Sequence, residues 1–228
     1  MLLDAPYFPD ELEMLPGVLG QAGFRPDALL ATHADYDHLL ARLPFPDLPL
    51  GVGETTMERL RAQPGEAQRE LRKEDARNYV TRGRALGLGG VRSLPVPGKL
   101  ELGSGGDELE LHPAEGHAPD GTAVFMPSAA VLVCGDYLSD VEIPLIAAAG
   151  SLPAYRSTLE GLEPLVRRAA SVVPGHGSPQ TREGALGLLE ADVAYLEALE
   201  AGREELPRGR DTSRQREIHA DNVFKHAS

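Results

Sequence analysis

The sequence predicts an α/β fold, in which short apolar strands alternate with helices and the chemistry sits just beyond strand ends. Three observations predict it. Four apolar runs each lead to a residue able to bind a metal: Ala28–Thr32 to His33, Leu109–Leu111 through a loop to Gly116-His117, Val131–Cys134 to Gly135-Asp136, and Val172–Pro174 to Gly175-His176-Gly177. Stretches with helical composition separate the first of these runs from the second and the third from the fourth. The chain has 228 residues, 42% of them hydrophobic and 25% charged, which is ordinary for a globular protein that buries a sizeable core.

Taken in order, Leu2-Leu3-Asp4 reads as the end of a short strand. Asp10 to Leu19 reads as a helix that contains Pro16. Ala28 to Thr32 is a buried strand, and Leu48 to Val52 is another, followed by a helix capped near Thr55 or Thr56. Glu66 to Leu86 predicts one long, charged helix. The Gly- and Pro-rich stretch from Gly87 to Gly106 predicts loop with short strands. Glu108 to His112 alternates apolar and polar residues, as a half-buried strand does. Ala123–Phe125 and Val131–Cys134 predict a strand pair with Ser128 at its turn. Leu152 to Ala170 holds a helix containing Pro164, and Ala170 to Val173 is the last strand expected. A helix over Arg182–Leu206 is broken by Pro207-Arg208-Gly209, and a final helix covers Ser213–Phe224. Internal repeats and low-complexity tracts are absent. The expectation is one domain over residues 1–228, with a helical C-terminal segment from about 181 to 228.

Composition narrows the partners. A formal net charge of −13 repels phosphate backbones and argues against nucleic acid. Ten of the 22 Lys and Arg fall between Arg59 and Lys99, interleaved with Glu66, Glu70, Glu74 and Asp75. That pattern reads as a solvated helix surface, or as a positive rim for a small anion. Neither a membrane span nor a signal peptide is expected. The single cysteine, Cys134, excludes an internal disulfide, and these features together predict a cytoplasmic protein.

The stretch His33-Ala34-Asp35-Tyr36-Asp37-His38 offers ligands at i, i+2, i+4 and i+5. A tight loop can aim His33 and Asp35 one way, and Asp37 and His38 the other. Imidazole suits zinc and iron, and carboxylate can bridge ions or complete a site. His117 and His176 would then each complete one site, with Asp136 bridging both. Two ions about 3.5–4 Å apart can clamp a displacement reaction. His112, His219 and His226 read as ordinary loop or surface residues.

These residues carry a resemblance to the metallo-β-lactamase superfamily of metallohydrolases. Its pattern, HxHxDH followed by a His, a bridging Asp and a His, maps onto residues 33–38, His117, Asp136 and His176. Thr32, Gly116-His117, Gly135-Asp136 and Pro174-Gly175-His176-Gly177 resemble the glyoxalase II-like branch. The resemblance spans roughly Leu2 to Gly177. It implies an αββα four-layer sandwich with a dinuclear site at one sheet edge, holding two divalent ions of zinc, iron or manganese.

Three departures stand out. Asp35 replaces the family's usual second histidine, giving four His and three Asp. The added negative charge lowers the Lewis acidity of the adjacent ion and shifts preference toward iron or manganese. Leu39-Leu40 replaces a glycine-rich step. The leading N-terminal hairpin is expected to be missing: either the assigned start is late, or a sheet edge is left open, and an open edge would invite pairing with a second copy as a homodimer.

The implied reaction is attack on a small-molecule ester, thioester or lactone by a hydroxide formed from water between the metals. Asp37 would orient the nucleophile and Asp136 would hold the ions together. Tyr137 either donates to a developing oxyanion or packs under the site. Tyr36 packs or hydrogen-bonds behind the ligands, and Cys134 is a small buried residue. The acidic tail after His176 does not match a glyoxalase II substrate domain, so a glutathione thioester is not the expected substrate. The alternatives are a phosphodiesterase, a non-haem iron redox protein and an inactive metal-binding scaffold.

Overall fold

Every strand pair in the first sheet is parallel. The computed structural model describes residues 1–103, 106–203 and 206–226, and the chain divides into two units, Met1–Pro95 and Val96–Ser228. The expected loop to Gly106, the expected helix to Leu206 and the end of the C-terminal segment lie partly outside the described residues.

In the first unit, β1 (Leu2–Leu3), α1 (Pro9–Gln21), β2 (Leu29–Leu30), a 3-10 helix (Tyr36–Arg42), β3 (Leu50–Gly53), α2 (Glu54–Ala62), α3 (Glu66–Arg77) and β4 (Val91–Leu94) follow in order. The strands pair in the order β1-β2-β3-β4. Parallel neighbours need crossovers, and the helices supply them. Leu29, Leu30, Leu50 and Val52 are all buried, as expected for strands covered on both faces. Met57, Ala67 and Leu71 from the helices complete this core, together with Leu39 and Leu40. The Leu39-Leu40 step is therefore an anchor that pins the 3-10 helix into the core.

Two expectations for this unit are corrected. The charged helix ends at Arg77, not Leu86, because Tyr79 takes a left-handed conformation (φ 54°). Arg82 then turns back to grip Asp75, with Nε 2.9 Å from Oδ2. Residues 78–81 carry aromatic and β-branched side chains of low helix propensity, which local charge pattern overrode in the sequence reading. Helix α2 is capped by Gly53 and not near Thr55 or Thr56, because it starts directly from β3.

In the second unit, β5 (Gly98–Leu102), β6 (Asp107–Pro113), β7 (Thr122–Met126), β8 (Val131–Val133), α4 (Leu152–Arg168), β9 (Ser171–Val173), β10 (Gln180–Thr181), α5 (Arg182–Glu200) and α6 (Ser213–His226) follow in order. The sheet order is β10-β9-β8-β7-β6-β5, antiparallel except for the parallel pair β8 and β9. Leu109 and Leu111 alternate with more exposed neighbours along β6, as their spacing predicts. The β7–β8 hairpin matches Phe125 with Leu132. Ser171–Val173 is not the last strand: Gln180–Thr181 pairs back on it, a segment too short to show a period. Helix α5 stops at Glu200, where Gly202 (φ 66°) and Arg203 bond back to Leu199 and Ala198, a Schellman closure. The core of this unit gathers Leu132, Val172, Tyr155, Leu159, Leu196 and Ile218. Among the described residues, no helix is long and apolar enough to cross a membrane.

Candidate metal centre

Four candidate donors lie together in the first unit, just past the end of β2. Because β1 and β2 are parallel neighbours, Asp4 at the end of one meets Thr32 at the end of the other. The Asp4 carboxylate accepts from the Thr32 backbone N–H at 3.0 Å, from the Thr32 hydroxyl at 2.9 Å and from His38 Nδ1 at 2.9 Å. A carboxylate only accepts, so the proton of His38 sits on Nδ1 and the lone pair on Nε2. The Thr32 hydroxyl gives its proton to Asp4 and accepts from His33 Nδ1 at 3.1 Å, which leaves the same Nε2 lone pair on His33.

The two imidazoles lie 4.0 Å apart between centroids. Asp35 Oδ2 is 3.5 Å from His33 Nε2, and Asp37 Oδ2 is 3.8 Å from His38 Nε2. Asp35 also meets a cation, with Arg59 Nη2 of α2 at 2.6 Å from its Oδ1. Tyr36 packs edge-on against Tyr7 at 6.4 Å and is half-buried. Burial first, and the charge of Asp37 next, push its hydroxyl pKa up.

Three candidate donors lie together in the second unit. His117 sits in a loop that needs glycine before it. Gly116 has φ 123°, and a Cβ there would lie 2.2 Å from the Tyr155 backbone nitrogen. The His117 backbone N–H donates to the Tyr137 hydroxyl at 3.0 Å, and that hydroxyl donates to the Glu115 carbonyl at 2.8 Å. Tyr137 is almost fully buried and holds this loop, and burial pushes its pKa up. His117 Nδ1 donates to the Leu145 carbonyl at 2.8 Å, so its lone pair is also on Nε2.

Strands β8 and β9 run parallel, so the loops that follow them share one end of the sheet. Gly175 N–H bonds to the Gly135 carbonyl at 2.7 Å and ties those loops together. Asp136 then has an imidazole at each oxygen: His117 Nε2 is 3.2 Å from Oδ2, and His176 Nε2 is 3.5 Å from Oδ1. Tyr155 donates to the Asp136 backbone carbonyl at 3.2 Å. Asp140 accepts from Ser178 N–H at 2.8 Å, which steadies the turn after His176 and lowers the Asp140 pKa. Cys134 is fully buried beneath this site, and burial pushes its thiol pKa up.

Candidate metal donors are thus His33, Asp35, Asp37 and His38 within the first unit and, taken by themselves, His117, Asp136 and His176 within the second. His112 pairs with Glu110 at 3.5 Å and His219 meets the Tyr195 hydroxyl at 3.0 Å. Sequence reasoning did not assign roles to Asp4, Arg59 or Asp140. A carboxylate closing β1 was visible, but its target was not, because the strand order decides it. Of the ten basic residues between 59 and 99, six are in ion pairs: Arg59, Arg69, Lys73, Arg77, Arg82 and Lys99.

The family model of the metallo-beta-lactamase superfamily matches residues 3–176. Among solved structures, the chain is similar to a metallo-beta-lactamase family protein, TTHA1429, from Thermus thermophilus. The two share 21% identity and a TM-score of 0.64, over 88% of this chain and 72% of that one. It is similar to TTHA1623 in a di-iron-bound form, with 25% identity and a TM-score of 0.58, over 78% and 83% of the chains. The DIM-1 metallo-beta-lactamase shares 18% identity with a TM-score of 0.58, over 86% and 80%. No curated protein matches the chain.

Proposed function

This chain belongs to the metallo-β-lactamase superfamily, and on that premise we propose that it is a metal-dependent hydrolase cleaving a small ester, thioester or lactone. The observation that carries the proposal is Asp136, a nearly buried carboxylate with one imidazole at each oxygen. Such a carboxylate can serve two ions at once. The donor chemistry fits, because Nδ1 of His33, His38 and His117 is engaged and the Nε2 lone pair is the ligating one.

Two divalent ions of zinc, iron or manganese would be held by His33, Asp35, Asp37, His38, His117, Asp136 and His176. When bound, such ions supply Lewis acidity and lower the pKa of water toward about 7. Asp136 keeps the His117 and His176 rings apart at a set span. Asp4 and the Leu145 carbonyl hold the ring protons of His38 and His117 away from the ions. Asp37 orients the attacking water through a carboxylate oxygen. Tyr137 holds the His117 loop, since its hydroxyl proton goes to Glu115.

Acyl substrates are favoured over phosphodiesters. The net charge is −13, and six of the cations that would attract phosphate are already paired with carboxylates. A second reading, iron-dependent redox chemistry, draws on one observation: TTHA1623 was solved with two irons bound. A homodimer, the partner expected from the sequence, is part of the proposal. A monomeric mass by light scattering removes that part of the proposal.

The deciding experiment couples metal quantification to a panel of esters, thioesters, lactones and phosphodiesters, with oxygen uptake recorded in parallel. Acyl hydrolysis that follows metal content supports the proposal. Oxygen uptake with bound iron supports the redox reading, and a fully metal-loaded protein inert on every substrate is a scaffold. Asp136→Ala loses metal and turnover together, whereas His112→Ala keeps both.

A further inference from the structure

The segment 139–146 has no regular secondary structure, yet it carries the Leu145 carbonyl that orients His117. The chain's last helical segment holds it. Asn222 on α6 donates through Nδ2 to the Pro144 carbonyl at 2.7 Å and accepts through Oδ1 from the Ile146 N–H at 3.2 Å. One side chain therefore grips the peptide groups on both sides of Leu145. Gln215, two helical turns earlier on the same face of α6, accepts from the Ile143 N–H at 2.8 Å. Arg210, just before α6, donates to the Glu142 carbonyl at 2.8 Å and the Ser139 carbonyl at 3.3 Å, and is itself held by Asp192 of α5 at 2.6 Å.

Asn222, Gln215 and Arg210 are all almost fully buried. Apolar side chains such as Ile218 and Val223 would attach α6 to the core at lower desolvation cost. What apolar contact does not specify is the direction in which a carbonyl points. Five hydrogen bonds from three side chains to one irregular segment do specify it.

We infer that Asn222 and Gln215 are positioning residues for the His117 ligand, acting through the backbone on either side of the Leu145 carbonyl. The inference rests on the reading of His117 as a metal ligand only for its consequence on affinity. Its geometric part concerns the Nδ1 proton of His117 and stands by itself. The C-terminal helix, which lies beyond the span matched by the family model, would thereby become part of the metal-site architecture.

The test uses the full chain and three variants: Asn222→Leu, Gln215→Leu, and Arg214→Ala as an exposed control on the same helix. One readout is the Nδ1 proton resonance of His117 in metal-free, histidine-labelled protein, assigned by its loss in His117→Ala. The other is Co2+ affinity by chelator competition. The parent and Arg214→Ala should show the resonance and equal affinities. Asn222→Leu and Gln215→Leu should broaden or lose it, and Co2+ should bind roughly tenfold more weakly. Folded variants that keep both the resonance and the parental affinity overturn the inference. If Asn222→Leu does not fold, Gln215→Leu decides. If the parent binds no Co2+, the proposed function fails, and the resonance alone still decides the role of α6.

Discussion

Asp4 Oδ2 lies 2.9 Å from His38 Nδ1, joining the end of the first strand to a residue 34 positions later. The same carboxylate takes both protons that Thr32 offers. One side chain thus organises two imidazoles, one directly and one through a hydroxyl. Asp4→Ala should weaken metal binding roughly ten- to a hundredfold while leaving the parallel sheet intact. Chelator competition measures the first and circular dichroism the second. An unchanged affinity would mean that the Asp4 contact is incidental.

Asp35, which the sequence resemblance sets at the family's second-histidine position, is paired with Arg59 at 2.6 Å. The guanidinium offsets part of the charge that the carboxylate adds beside His33. Replacing the hard oxygen by imidazole, Asp35→His, should raise the zinc-to-iron ratio in protein purified from medium containing both. Elemental analysis reads the ratio, and equal ratios in parent and variant would show that Asp35 has no part in metal choice.

Gly116 and Gly161 make a controlled pair. At Gly116 the backbone is left-handed and a Cβ would meet the Tyr155 backbone at 2.2 Å, whereas at Gly161 in α4 a Cβ meets open space. Gly116→Ala should cost about 2–5 kcal/mol. Gly161→Ala should stabilise by about 0.5–1 kcal/mol, because it lowers the entropy of the unfolded chain within a helix. Urea unfolding measures both, and a tolerated Gly116→Ala would contradict the close approach of the loop to α4.

Burial pushes the Asp192 carboxyl up to about 6, against the pull of Arg210. Between about pH 4 and 6 the folded protein therefore binds this proton more tightly than the unfolded chain does. Stability from this group is full below that window and falls as pH rises through 6. Asp192→Asn has no such loss. Its stability relative to the parent should improve from pH 4 to pH 7, as read by urea unfolding at both values. A constant difference across the two would place the Asp192 pKa outside the window.

Much of this architecture was legible locally. The alternation in Leu109–Leu111, the apolar run before His33 and the hairpin around Ser128 follow from side-chain period and turn composition, which neighbours along the chain control. The charged helix was read too long, because Arg82, Arg84 and Leu86 continue its basic and apolar composition after Tyr79 has already turned the backbone left-handed. The strand at Gln180–Thr181 was missed, since two residues carry no period.

From the sequence alone came the candidate donor types and their places: four imidazoles and three carboxylates, each just beyond an apolar run. Only the tertiary structure decided which ring nitrogen of His33, His38 and His117 carries the proton and what holds it there. Asp4 reaches His38, Leu145 orients His117, Arg59 meets Asp35 and Asn222 brackets Leu145. These partners stand 24 to 78 positions apart. Strand order and helix packing bring them together, and a hydrogen bond leaves no trace in local periodicity when its donor and acceptor belong to different elements.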